Sequence, residues 1–456
     1  MVKRLAVLCA TLGACSLPGL DQLPLVSCAT APCAAGSVCG TDLFCHPAAD
    51  AGPRTDGGHD GGTSDAGPPD AGPPDSGSDA GPVDAGCEPP IVGYTGSFQP
   101  RASFGLAVTQ SAGVAGTVLA IAGGVDACGD ERDDFQTFDT STGQPQAQPV
   151  GLLPAEREEG VSLGLLPLPI GPTVQFGHDW LFTFGGYTSG VGGGFGNAKT
   201  VSAEDVTGEQ KVPVTRTPMA NAHAWAALAA LPVVAAPDAG DVLFLVVGGA
   251  EAFRGSNVTS AVEVYDPLAG NSGAAYEAPG LPTARSHLGG AVAPDGYFYA
   301  IGGQDDGGAP LDVVERMNAA AACLNGLPAG SGSTTLQLVV DDAGAAPGCG
   351  WDASVPLPTA RTDLAVTRGP DGLIYAIGGV LPDGGVTGVV EAFDSAAGAW
   401  RQRPPLNVPR HAAGAATTSA GIVWVLGGIG TDGRILADVE FYDPAEDAGW
   451  QLVPGQ

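Results

Sequence analysis

An all-β fold built from six similar units is what this sequence predicts, and three observations predict it. An apolar run closed by Gly-Gly occurs six times. Each run is preceded by a strand of small residues, usually opened by Pro and Arg. Four of the six are followed by a loop and a strand ending in an aromatic residue and Asp. A sequence that repeats one supersecondary unit at a regular interval is an array in which each unit buries its face against its neighbours.

The runs are VLAIAGG ending at Gly124, LFTFGG at Gly186, LFLVVGG at Gly249, YFYAIGG at Gly303, LIYAIGG at Gly379 and VWVLGG at Gly428. Their β-branched and aromatic residues suit buried strands, and glycines permit the positive φ that would stop them. The small-residue strands open at PRASFGLAV from Pro100, PAEREEGVSL from Pro154, PTARSHLGGAV from Pro282, PTARTDLAV from Pro358 and PRHAAGAA from Pro409. The third unit deviates, with Ala222-His223-Ala224-Trp225 where Arg would fall. The third strands read FQTFD to Asp139, VEVYDP to Pro267, VVEAFD to Asp394 and VEFYDP to Pro444. Asp at their ends can bond the backbone of the next turn. Trp351, Trp400 and Trp450 mark fourth strands in the later units. Four short antiparallel strands per unit, repeated around a ring, make a β-propeller, an architecture that leaves only short protected sheet edges. Six blades are expected.

Paired glycines, then Tyr or Phe with Asp, then Trp: over residues 95–456 this pattern resembles the Kelch repeat family. The resemblance implies an all-β, Kelch-type propeller whose loops after the glycines share one face with the blade-to-blade turns. Some secreted Kelch-like propellers are copper oxidases with two His, two Tyr and a Tyr–Cys crosslink. Here the head cysteines are taken up as disulfide candidates, so no cofactor is expected. Small six-bladed Kelch-like periplasmic proteins also include sialic-acid epimerases. That alternative would need an acid/base pair such as Glu159 with His287.

The N-terminus reads as an export signal, residues 1–14. Lys3 and Arg4 form a positive start, and LAVLCATL from Leu5 is an apolar stretch too short to span a bilayer. Leu12-Gly13-Ala14-Cys15 resembles a bacterial lipobox, in which Cys15 would be lipidated, and Ser16 fits sorting to the outer membrane. The competing pattern is an ordinary signal with Cys15 incidental. No later apolar run of about 20 residues exists, so the membrane is met only through the lipid.

Ten Cys are present. With Cys9 inside the signal and Cys15 lipid-bearing, an even number remains, as a disulfide framework requires. Residues 15–46 form an anchor and Cys-rich segment. Cys28, Cys33, Cys39 and Cys45 crowd there, too short a stretch to bury a core without disulfides. Zinc usually wants C-x2-C pairs, which are missing. Cys323 and Cys349 bracket an insertion in the fourth unit, and Cys87 and Cys128 remain for each other. Connectivity is not fixed by sequence.

Residues 47–86 are an Asp/Ala/Gly/Pro linker without a core, expected to be disordered and stretched. Extended at roughly 3.1 Å per residue, it would hold the head on the order of 100 Å from the lipid. A calcium-binding Asp/Gly repeat would need a strict nonapeptide period, which is missing. The head occupies residues 87–456. The strand-like stretch Ile91 to Phe98 is expected to join the last blade or clamp the seam.

Charge excludes one class of partner. The chain carries 18 basic and 49 acidic residues, a net charge of −31. Nucleic-acid binding rests on Lys and Arg neutralising phosphates, so nucleic acid is not expected as a partner.

The chemistry-bearing residues divide into periodic and aperiodic ones. Arg101, Arg157, Arg285, Arg361 and Arg410 recur in register, as do Glu263, Glu315, Glu391 and Glu440. A structural need repeats with every blade, so these read as blade supports; an Arg-lined mouth for an acidic ligand is the alternative use of Arg285 and Arg361. The residues two positions beyond each Arg break the repeat: Ser103, Glu159, His287, Asp363 and Ala412, with Trp225 in the deviant unit. Placed on turns of a rigid scaffold, Ser103, Glu159, Trp225, His287 and Asp363 are the binding-face candidates. The loops Asp305-Asp306-Gly307-Gly308, Asp383-Gly384-Gly385 and Asp432-Gly433 read as plain turns, with a weak calcium site as the sharper reading. No metal-spaced His pair, nucleophile elbow or phosphate loop is present, and no catalytic residue is assigned. The sequence therefore predicts an outer-membrane or extracellular, lipid-anchored monomer that binds a protein or polysaccharide and is not an enzyme.

Overall fold

The computed structural model divides the chain into two units, residues 1–85 and 86–456. It describes residues 37–39, 45–47, 98–108, 118–132, 134–145, 159–167, 179–188, 196–197, 199–205, 214–232, 242–251, 257–267, 269, 272–319 and 350–453. In the first unit the strands Ser37–Cys39 and Cys45–Pro47 pair antiparallel, with Cys39 opposite Cys45. The signal, Cys15, Cys28, Cys33, the linker beyond Pro47, Cys87, Arg157, Cys323 and Cys349 lie outside the described residues.

The second unit is an all-β propeller of six blades. Each blade is a sheet of four strands running from the innermost outward, and blade 2 carries a fifth, Gly196–Asn197, paired to the end of Asp179–Thr188. The innermost strands are Gly105–Val108, Glu159–Pro167, Ala227–Pro232, Gly289–Val292, Ala365–Arg368 and Gly414–Thr417. The apolar runs form the second strands, from Val118–Ala122 in blade 1 to Val423–Leu426 in blade 6. Among the described residues no strand is shared across the seam: blade 6 has its own fourth strand, Gln451–Leu452, paired to Val439–Tyr442. Phe98, the described end of the stretch expected at the seam, is buried with Phe104, Phe138, Trp424 and Leu426 between blades 6 and 1. Apolar clusters of this kind fill each gap between consecutive blades.

The glycine doublets are needed for two reasons. Both residues of every doublet have positive φ, for example Gly302 at 61° and Gly303 at 98°. A Cβ on Gly303 would also lie 2.6 Å from the Ser286 carbonyl oxygen, and one on Gly302 2.8 Å from that of Arg361. In blades 3 to 6 the second glycine donates its N–H to the next blade: Gly249 to Arg285, Gly303 to Arg361, Gly379 to Arg410 and Gly428 to Arg101, at 2.8–3.0 Å. The last of these closes the ring.

The recurring arginines are buried struts inside the blades. Arg285 donates to the carbonyls of Thr283, Ala300 and Gly302, and pairs with Glu315 at 2.5 Å. Arg361 with Glu391 and Arg410 with Glu440 repeat the arrangement at 2.7 and 2.8 Å. In blade 1 the register position of the glutamate holds Gln136, and Asp134 pairs with Arg101 instead, at 2.7 Å. Burial draws the Arg361 guanidinium down to about 10, partly offset by Glu391, so it stays cationic at neutral pH. The outer-strand tryptophans tie each later blade to the incoming linker: Trp351, Trp400 and Trp450 donate their indole N–H to Pro279, Val355 and Pro404. Asp at the end of the third strand caps the following turn, as Asp394 does toward the Ala397 N–H at 3.0 Å.

Candidate functional site

A channel runs between the six innermost strands, with a cavity volume of about 210 Å³. Its walls are mostly Gly, Ala, Leu and Val, because the strands converge and large side chains do not fit: a Cβ on Gly289 would collide with Val366 of the next blade.

One end of the channel is ringed by Ser103, Gly160, Trp225, His287, Asp363 and Ala412, one residue from each blade. Each has a positive φ between 52° and 67°. The N–H of each donates to the carbonyl of its counterpart in the preceding blade, at 2.9–3.1 Å, and the circuit closes with Ser103 donating to Ala412. Every backbone donor in the ring is thereby used within the ring. Any chemistry at the mouth comes from side chains, held in place by a cyclic hydrogen-bonded backbone.

Four of the five aperiodic residues expected on this face are there. Glu159 is not: it lies in the ladder opposite Tyr187, and Gly160 takes the ring position. Glycine is required, since a Cβ on residue 160 would lie 2.7 Å from the Trp225 nitrogen and 2.8 Å from its indole ring. The Arg-to-turn spacing of the other units therefore does not hold in blade 2. Arg285 and Arg361, expected as binding-face candidates, are both fully buried within their blades and do not reach the mouth.

The mouth side chains form a continuous arc from blade 2 to blade 6. The Tyr187 ring stacks on Trp225 at 6.1 Å, and Trp225 stacks on His287 at 4.9 Å with 15° between the planes. His287 Nε2 lies 3.7 Å from Asp363 Oδ1, and His411 Nδ1 3.3 Å from Asp363 Oδ2. Ser286 Oγ sits 3.0 Å from His287 Nδ1. Burial lowers the His287 pKa; Asp363 opposes this and His411 adds to it. Burial alone would raise the Asp363 carboxyl, but His287 and His411 outweigh it and hold it below the usual carboxylate range. At neutral pH the mouth thus presents an ionised carboxylate beside an uncharged His287. Trp225 has a neighbour on each face, so it offers a ligand its edge.

Tyr187 and His411 belong to the arc but do not occupy the position two beyond the Arg. His411 sits one beyond Arg410, where the other described units carry Ala102, Ala224, Ser286 and Thr362, and that break in register is the signal that marks it. The loops after the glycine doublets border the mouth: Gln304, Val380 and Ile429 bridge to Ser286, Thr362 and His411. Their aspartates serve as turn caps. Asp305 Oδ1 accepts from Gly307 and Ala309, and Asp383 Oδ1 from Gly385. Among the described residues, the group with metal-ligand composition is Asp126, Cys128 and Asp130. Cys128 is disulfide-bonded, with its partner outside the described residues, so it has no thiolate to give. Asp126 Oδ1 accepts from the Cys128 and Asp130 N–H groups.

No protein-family model matches this sequence, and no curated protein matches it. The fold is similar to that of the solved structure of YjhT, with a TM-score of 0.56 over 78% of this chain and 97% of that one, at 12% sequence identity.

Proposed function

We propose that this protein is a lipid-anchored, Kelch-type binding module of the cell envelope, taking a protein or glycan ligand at the channel mouth. One observation carries the reading. The side chains that break the sixfold repeat gather at one end of the channel, on a backbone ring with no free donors. Periodic residues hold the blades, whereas Trp225, His287, Asp363 and His411 answer to no repeated structural demand. Loops and turns displayed on a rigid scaffold are the usual seat of recognition. An ionised Asp363 beside imidazoles and an indole edge can accept hydrogen bonds from hydroxyls or from a cationic group on the ligand.

The test is capture. A glycan array and a crosslinking pull-down from outer-membrane extract, run with the native chain and Asp363→Asn, should lose at least about tenfold in signal with the variant, the scale of one lost charged hydrogen bond. Equal capture by the two would place recognition elsewhere. Mass spectrometry for lipid on Cys15 tests the anchor.

A second reading, a carbohydrate-active enzyme such as a sugar mutarotase or epimerase, is favoured by one feature: His287 and Asp363 are adjacent at the mouth. Chemistry needs such convergent titratable groups with shifted pKa. Anomeric exchange of reducing sugars followed by NMR separates the two: acceleration abolished by Asp363→Asn supports the enzyme, and an unaltered exchange rate supports the binding module.

A further inference from the structure

The channel mouth is one-sided in its chemistry. Among the described residues lining the channel, Asp363 is the sole carboxylate, and no Lys or Arg is present. Asp363 Oδ2 accepts from His411 Nδ1 at 3.3 Å. Oδ1 has no hydrogen bond among the described residues: its near neighbour, His287 Nε2, stands at 3.7 Å, beyond hydrogen-bond reach. A carboxylate accepts at about four lone-pair sites. This one is fixed at one oxygen and keeps most of its capacity unfilled, with 21% of its side chain exposed.

The surroundings carry the same sign. The loops of blades 4 to 6 that border the mouth hold exposed Asp306, Asp383 and Asp432. The basic residue on those loops, Arg434, lies 3.6 Å from Asp432. The blade arginines are taken up by Asp134, Glu315, Glu391 and Glu440. An opening ringed by one sign of charge concentrates the opposite sign and speeds its encounter. A sugar hydroxyl would gain from Asp363 but not from this field, whereas a cation gains from both.

Size and donor geometry narrow the cation. The channel, about 210 Å³, is smaller than the roughly 300–1,000 Å³ that encloses a drug-sized ligand, and has room for one side chain. Its walls below the ring are mainly Gly, Ala, Leu and Val and offer a charged end no carboxylate, so the charge stops at Asp363. A guanidinium binds best as a fork on both oxygens of a carboxylate, and His411 already holds one of them. A lysine ammonium is a point charge on a long apolar stem and needs only the other. We propose that the mouth takes a lysine side chain of a partner protein, its ammonium donating to Asp363 Oδ1. The inference rests on the mouth being the ligand site, and it narrows that ligand to a protein-borne cation. Burial keeps His287 uncharged at neutral pH, so the neighbouring imidazole does not repel the ammonium.

Capture of the full chain on immobilised Gly/Ser peptides with one central lysine, acetyl-lysine or arginine is the test. Acetylation removes the charge and keeps the stem. The native chain should be captured at least about tenfold better by the lysine peptide than by its acetylated form, and better than by the arginine peptide. Asp363→Asn should erase that preference. Asp352→Asn, which removes the same charge from an exposed outer strand, should keep it. Equal capture by the lysine and acetyl-lysine peptides, or a preference that survives Asp363→Asn, overturns the inference. Should Asp363→Asn fail to fold, competition on the native chain decides: n-butylammonium should displace the lysine peptide where n-butanol at equal ionic strength does not, and equal displacement overturns the inference. Failure here is separable from failure of the mouth as a site. Glycan or extract capture that falls with Asp363→Asn while the lysine preference is missing overturns the cation alone, and capture indifferent to Asp363→Asn overturns both.

Discussion

Blades 4 to 6 and blades 1 to 3 solve one packing problem with different fidelity. In the later three, a buried Arg meets a Glu on the third strand, and a Trp on the fourth strand ties the blade to its linker. Among the described residues of the earlier three, Arg101 pairs with Asp134, Thr183 meets Ser202 at 2.5 Å in blade 2, whose Arg157 lies outside them, and His223 faces Glu263. The geometry is kept and the chemistry is not. What the position demands is a polar group that reaches from the segment before the first strand to the carbonyls at the end of the second, as Arg361 does to Gly378 and His223 to Gly248. An Arg–Glu, an Arg–Asp or a His–Glu combination stands there in different blades.

Breaking a strut in each half puts numbers on that difference. Arg361→Ala leaves Glu391 buried without its partner and removes donors from the Ala376, Gly378 and Val389 carbonyls. Losing one member of a buried pair costs about 3–5 kcal/mol. Ser202→Ala in blade 2 removes one hydroxyl contact to Thr183, at about 0.5–1.5 kcal/mol. Denaturant unfolding of both variants checks the order, and equal losses would mean that the ion pairs contribute no more than a hydroxyl contact.

The same contrast explains what the sequence made legible. The fold was readable because the glycine doublets are a geometric requirement: two positive φ angles and two carbonyls in near contact leave no other residue type. The ring position was readable where an Arg marks it two residues upstream, and it slipped by one in blade 2, where Gly160 takes the place expected for Glu159. Arg285 and Arg361 were ambiguous because a periodic Arg looks the same whether it lines a mouth or braces a blade, and burial decides. His411 and Tyr187 escaped because their contacts with Asp363 and Trp225 cross blade boundaries, and no local pattern encodes a neighbour on another blade.

Gly160→Ala tests whether the mouth is a fixed assembly. Its Cβ would press on the Trp225 backbone and ring, costing about 1–3 kcal/mol by overpacking. It should also displace Trp225 from His287 and weaken ligand capture. Unchanged stability and capture would show that the arc from Tyr187 to His411 is loose.

Acid titration separates the mouth from the blade struts, whose Arg361 stays cationic across the range. The folded His287 pKa is lowered, so its contribution is fully present above the unfolded value of about 6.5 and is lost as pH falls through the folded value. His287→Gln should remove that loss, giving a shallower decline in melting temperature on acidification. Asp363 has a lowered folded pKa too, and its contribution is present above about 3.9 and lost as pH falls further. Asp363→Asn should flatten that lower limb and, by removing the carboxylate that holds the His287 pKa up, extend the His287 decline to lower pH. The mouth thus weakens on acidification through two groups. If His287→Gln left the decline in melting temperature unchanged, His287 would not be the group that weakens the mouth.

The smallest effect expected isolates what the ring itself requires. Ala412 sits at φ 52°, a conformation costly for a residue with a Cβ. Relieving it with glycine is opposed by the added freedom of the unfolded chain, so Ala412→Gly should stabilise the head by roughly 0.5–1 kcal/mol. The backbone hydrogen bonds through residue 412 survive the change, and capture should be unaffected. That result would divide the ring into positions where the backbone alone matters, such as Ala412, and positions where a side chain is retained against conformational strain, such as Trp225 at 53°, His287 at 54° and Asp363 at 53°. Strain tolerated in three adjacent blades for bulky or charged residues is hard to attribute to folding, because glycine fills the equivalent place in blade 2.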